Sequence, residues 1–112
     1  MNKYHNKRTS IDGIIFDSKR EAERYAELRL LERAGEISAL KIHPKYILAE
    51  AVITEKETIR PIYYIGDFEY REGDRIICED IKGGRATQTA VFKLKVKLFK
   101  ARYPEYELRI VN

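Results

Sequence analysis

Asp67, Asp80 and Lys82 are the residues of this sequence whose types and spacing could do chemistry. At the strand period of two, residues 75–82 put Cys78, Asp80 and Lys82 on one face and Ile77, Glu79 and Ile81 on the other. A carboxylate and an ammonium therefore share one edge where the chain meets Gly83-Gly84. In the preceding apolar, aromatic run, Tyr63, Ile65, Asp67 and Glu69 share a face. If the two runs pair as a hairpin through Glu72-Gly73-Asp74, Asp67 comes to lie near Asp80 across the ladder. Two adjacent carboxylates repel unless a cation lies between them, and oxygen ligands suit Mg2+ or Mn2+. The competing reading is an exposed Asp80–Lys82 pair with Asp67 held by a backbone N–H. An aspartate, a spacer and a lysine are common by chance, but an acid inside Tyr-Tyr-Ile-Gly-Asp-Phe-Glu-Tyr is hard to explain as surface decoration.

These residues need elements to position them. Residues 18–34 read as a first helix: Ser18 with Glu21 makes a capping box, Gly35 is a stop, and Glu21, Tyr25, Leu28 and Glu32 share a face with Ala22 beside them. Residues 11–16 read as a short extended piece turning at Asp12-Gly13. Residues 37–49, broken by His43-Pro44, read as an extended segment leading into a strand, and residues 50–60 as a hairpin loop or ragged strand ends. Residues 61–70 predict a second strand and residues 75–82 a third. Residues 87–103 predict a second helix with Val91, Phe92, Leu98 and Phe99 as its buried face, and residues 106–111 a last strand. Helix, three strands, helix, strand implies an α/β (α+β) domain with a central mixed sheet flanked by helices.

The 112 residues allow one core, so residues 1–10 are expected to be a flexible basic arm and residues 11–112 a single domain. A charged fraction of 36% predicts a heavily charged, soluble surface, and no stretch has the length of apolar sequence a membrane span needs. Cys78 is the sole cysteine, which excludes an internal disulfide and, with no apolar segment in the basic start, points to the cytoplasm. Every charged residue between Lys82 and Arg102, and every one in the first ten, is basic. Two such tracts suggest a polyanionic partner, although a solvated helix face and a loose terminus would read the same way.

Gly66-Asp67-Phe68 followed by Glu79-Asp80-Ile81-Lys82-Gly83 resembles the bipartite motif of the PD-(D/E)XK nuclease superfamily. With Phe16-Asp17-Ser18-Lys19-Arg20-Glu21-Ala22 before it and a Thr-, Phe- and Lys-rich helix after it, the chain is similar to small phage proteins grouped with the Holliday-junction resolvases. The resemblance spans nearly the whole chain and implies a restriction-endonuclease-like αβββαβ core. Gly66 stands where the motif has proline. Carried over by position, Asp67 and Asp80 would be metal ligands, with the Ile81 carbonyl as a third and Glu21 as a further one. Lys82 would orient the attacking water and stabilise charge at the phosphate.

Gln88 and Lys95 fall on the inward side of the second helix, and the resemblance implies phosphate contact for them. For Lys95 the alternative is an outward-reaching lysine. Lys93, Lys97 and Lys100 are candidates for nonspecific backbone contact or for solubility alone, and Lys7 and Arg8 for contact from the arm. His5 and His43 are too isolated in sequence for a zinc site, and His43 reads as a loop residue. The expected activity is metal-dependent DNA cleavage, on branched DNA by a homodimer with two active sites. The alternatives are a nickase or end-processing nuclease with the same site, and a non-catalytic DNA-binding accessory protein.

Overall fold

A computed structural model of the chain describes residues 8–81 and 89–111. It shows a mixed α+β fold with a central mixed sheet flanked by two helices.

The described residues begin with a hairpin of β1 (Thr9–Ile11) and β2 (Ile14–Phe16). Asp12 and Gly13 both take positive φ, 52° and 76°, as a two-residue hairpin turn compatible with strand twist requires. Thr9 and Ser10, expected in the basic arm, belong instead to β1, and residues 1–7 of that arm lie outside the described residues. Thr9 and Ser10 pair with Phe16 and Ile15, because the fully buried Phe16 anchors one strand and the turn sets the register of the other. Helix α1 (Lys19–Arg33) starts where expected, with the Ser18 hydroxyl accepting the Glu21 N–H at 3.2 Å. It ends at Gly35, whose φ of 79° lets the Gly35 and Glu36 amides bond back to the Glu32 and Leu31 carbonyls. Ala22, Tyr25 and Leu28 form its buried face.

The central sheet has the order β10-β9-β8-β3. Its middle is the antiparallel pair β8 (Phe68–Glu72) and β9 (Arg75–Ile81), joined by a turn at Gly73 with φ 61°. Strand β3 (Ser38–Ile42) adds antiparallel to β8, and β10 (Tyr106–Val111) adds parallel to β9, which makes the sheet mixed. The alternation along β9 divides the molecule. Ile77 joins Phe16, Leu28, Phe68 and Tyr70 under α1, while Cys78 joins Tyr46, Tyr64 and Phe99 on the opposite face.

The expected break at His43-Pro44 is present, and one expected strand is divided. Residues 37–49 form β3 and β4 (Lys45–Ala49), separated at His43, whose φ is 53°. The run 61–70 is not one strand but two: β7 (Ile62–Ile65) pairs with β4, and the chain then crosses into β8 of the central sheet. Gly66 permits the crossing. Its N–H donates to the Pro44 carbonyl at 3.0 Å, and a Cβ there would lie 2.8 Å from Cys78 Sγ. Between β4 and β7, the short strands β5 (Val52–Ile53) and β6 (Thr58–Ile59) form an exposed hairpin.

Helix α2 (Ala90–Arg102) is capped by the Thr89 hydroxyl, which accepts the Phe92 N–H at 3.0 Å. Its buried face is narrower than the periodicity predicts. Phe99 is fully buried among Tyr46, Tyr64, Tyr103 and Tyr106, but Val91 is 63% and Leu98 38% exposed. Phe99, with the half-buried Phe92 and Tyr103, fills the contact with the β4–β7 layer, so Val91 and Leu98 stay at its margin. Among the described residues no helix is long and apolar enough to cross a membrane.

Candidate metal centre

Asp67 occupies the two-residue crossing between β7 and β8, and the backbone holds it on three sides. Its N–H donates to the Glu79 carbonyl at 3.0 Å, and its carbonyl accepts the His43 N–H at 2.9 Å. Its carboxylate Oδ2 accepts the Ile81 N–H at 2.6 Å. The crossing thus turns an acid that a continuous strand would carry on its face into one clamped at the end of β9.

Asp80 lies beside it. Its carboxyl is close enough to that of Asp67 to raise the Asp67 pKa. Asp80 is 4% exposed, and the Tyr64 hydroxyl donates to its Oδ2 at 2.6 Å. Burial, together with this bond to an acid, pushes the Tyr64 phenol above its ordinary range, so the hydroxyl acts as a donor. The expected approach of Asp67 to Asp80 is present, but not by ladder pairing. In the ladder Phe68 faces Glu79, and Asp67 lies one residue before it.

Glu21 enters from the first turn of α1, with its side chain 14% exposed. The Ser18 hydroxyl that caps the helix also lies 3.3 Å from Glu21 Oε2. His43, in the bend between β3 and β4, brings Nε2 to 3.8 Å from Glu21 Oε1. One ligand atom from each of Glu21, His43 and Asp67 lies within 4.8 Å of the others. Three carboxyls and an imidazole from four segments therefore meet at one end of the central sheet. The consequence shows in Asp67, whose acid is pushed up to about 8. Burial is the main cause, the contact with Asp80 and the charges of Glu21 and Asp80 add to it, and the Ile81 N–H opposes it. A dication seated among these groups would relieve that repulsion, and carboxylate oxygens with one imidazole nitrogen are suitable donors for it.

The neighbouring acids have other partners. Glu79 is fully buried on the α1 face, where Arg24 grips it through Nε at 2.6 Å and Nη2 at 2.8 Å and the Tyr70 hydroxyl donates to it at 2.8 Å. Glu69 accepts from the Tyr46 hydroxyl at 2.7 Å and pairs with Lys41 at 3.3 Å. Neither carboxylate is left to face a cation.

Lys95 is half-buried and shares with Asp80 the wall of a cavity of about 280 Å³, completed by Tyr63, Tyr64, Ile65, Thr89, Val91 and Phe92. Lys93 and Arg8 are exposed. Ile81 presents its N–H to Asp67. Lys82, Gln88 and Lys7 lie outside the described residues. His43 is the member that sequence reasoning missed. It is remote from Glu21 and Asp67 along the chain, and the only local signal was the break at His43-Pro44.

A family model matches residues 1–112, the entire length. The chain belongs to the DUF1064 family. That family is described as a protein of unknown function. No curated protein and no solved structure matches this DUF1064 chain.

Proposed function

We propose that this DUF1064 protein is a metal-dependent endodeoxyribonuclease of PD-(D/E)XK type that hydrolyses phosphodiester bonds in branched DNA as a homodimer. The observation that carries the reading is the gathering of the Asp67 carboxyl with Glu21 and His43, and with Asp80 near enough to raise its pKa, at the end of the central sheet. Such crowding of acids is costly without a cation. In this reading Asp67, Asp80 and Glu21, together with the Ile81 carbonyl, hold Mg2+ or Mn2+. When bound, the cation supplies positive charge against the developing phosphate oxygens and makes a nucleophile accessible at neutral pH.

The chain's own groups do the rest. Tyr64 and the Ile81 amide fix the two acids in place. Lys82, next in sequence to Ile81, orients the water, and Lys95 beside Asp80 contacts a phosphate. The water oxygen forms a new bond to phosphorus, one bridging P–O bond breaks, and the departing oxygen leaves with a proton. Lys93, Gln88, Lys7 and Arg8 contribute charge or hydrogen bonds along the backbone. The setting is the cytoplasm of the cell in which the gene is expressed.

The test is a cleavage panel of labelled linear, nicked and four-way DNA with Mg2+, Mn2+ or EDTA, comparing wild type with Asp80→Asn and Asp67→Asn. Metal-dependent cutting of the four-way substrate that both substitutions abolish is expected. Binding by wild type and Asp80→Asn alike, with no cutting under any metal, would leave a DNA-binding accessory protein instead.

A further inference from the structure

We infer that Glu21, His43 and Asp67 form a mixed nitrogen–oxygen site that selects a first-row transition-metal dication over Mg2+. The inference rests on the metal part of the proposed function and changes its ligand set: an imidazole joins, and Asp80 supports Asp67 instead of being its equal partner.

The geometry comes first. Octahedral or tetrahedral ions of this size hold ligand atoms at about 2.0–2.2 Å, which places neighbouring ligand atoms roughly 3–3.5 Å apart and opposite ones about 4.2 Å apart. The 3.8 Å between His43 Nε2 and Glu21 Oε1 and the 4.8 Å limit for the three atoms are within a small side-chain rotation of that cage. The side chains come from three separately anchored segments: the first turn of α1, the β3–β4 bend and the β7–β8 crossing. The bend and the crossing are stitched together by the His43 N–H to Asp67 carbonyl bond, which fixes the backbone spacing of two ligands. His43 is exposed while Glu21 and Asp67 are half-buried, so the cage is closed at its base and open towards solvent, where waters and a substrate oxygen can complete the shell.

The donor set then decides the ion. Mg2+ is a hard cation that keeps several waters and takes carboxylate and phosphate oxygens, and an imidazole nitrogen gives it little. Manganese, iron, cobalt and zinc accept a nitrogen with two carboxylates, with affinity for a given site rising from manganese through iron to cobalt. Asp80 stands behind the cage: it is not one of the three residues whose ligand atoms lie within 4.8 Å of one another, and its Oδ2 already accepts from Tyr64. It supports Asp67, as the groups behind a ligand commonly do.

The experiment uses the full chain without DNA. Metal-free protein is titrated with Co2+, following the visible absorption of the bound ion, and then challenged with excess Mg2+ or Mn2+. Wild type should give a saturable spectrum that Mg2+ does not displace, with Mn2+ competing at higher concentration. His43→Asn, whose residue tolerates the positive φ at this position, should bind Co2+ roughly tenfold or more weaker while keeping the wild-type circular dichroism. Glu21→Gln should act likewise. In the unsubstituted protein, Mn2+ at low ratio should broaden an imidazole proton resonance that Mg2+ leaves sharp. Unchanged Co2+ affinity in His43→Asn, equal displacement by Mg2+, or no broadened imidazole would overturn the inference. DNA cleavage supported equally by Mg2+ in wild type and His43→Asn would sink it and leave the nuclease standing. Selective, His43-dependent Co2+ binding with no cleavage of any DNA would do the reverse.

Discussion

The amide of Ile81, the last residue of β9, donates to Asp67 Oδ2 at 2.6 Å, which ties the tip of the central sheet to the crossing that enters it. This bond lowers the pKa of Asp67, yet burial and the neighbouring carboxyls outweigh it and hold the group at about 8. Under the proposed function, a metal ion bound there would displace the proton that Asp67 keeps at neutral pH.

That balance predicts an unusual pH dependence of stability. Asp67 has its pKa raised from 3.8 to about 8 on folding, so between those values the folded state binds the proton that the unfolded chain releases. Stability from this group is complete at low pH and is lost as pH rises towards 8. In EDTA, the Tm of wild type should fall between about pH 5 and pH 8, and the fall should be smaller in Asp67→Asn, which carries no such proton. Equal slopes in thermal melts of the two proteins would contradict the assignment.

Arg24 and Glu79 lock α1 to the central strand. Glu79 is fully buried, and Arg24 supplies both of its guanidinium contacts. Arg24→Ala would strand the carboxylate beside Tyr70, with an expected cost of about 3 kcal/mol, the lower end for a broken buried pair because the Arg24 side chain is 26% exposed. Urea denaturation measures it. A change under 1 kcal/mol would mean that water replaces the arginine.

Gly66 is required by close approach, not by its φ. Gly66→Ala should cost about 1–3 kcal/mol, because the new Cβ meets Cys78 Sγ at 2.8 Å. Cys78→Ala in the same chain removes that atom, so a double-mutant cycle should show the two substitutions compensating. Additive costs would place the strain elsewhere. Gly66→Pro should be worse than alanine, since it also deletes the N–H held by Pro44.

Lys93, Lys97 and Lys100 are exposed, and under the proposed function they would contact DNA without bearing on the fold. Each one that meets a phosphate should contribute about 0.9 to the log–log slope of affinity against salt. Replacing all three by glutamine should flatten that slope and weaken binding to every DNA alike, as read by fluorescence anisotropy across a salt series. A slope that does not move would assign them to solubility.

What the sequence determined by itself is what depends on neighbours along the chain. The alternation that sends Ile77 and Cys78 to opposite cores, the Ser18 cap, the Gly35 stop and the Asp12-Gly13 turn all follow from backbone geometry within a few residues. Val91 and Leu98 mark the limit of that logic, since a helical period names a face but not how much of it a neighbour covers. The tertiary structure alone decided where the crossing at Gly66 falls, and so put Asp67 at a corner and not in a ladder. It also decided that Arg24 would neutralise Glu79 and that His43 would stand beside Glu21. Those pairings join residues that are remote in sequence. They exist because α1 packs on the central sheet, which sets Arg24 against β9 and Glu21 beside the β3–β4 bend, and no local periodicity carries that information.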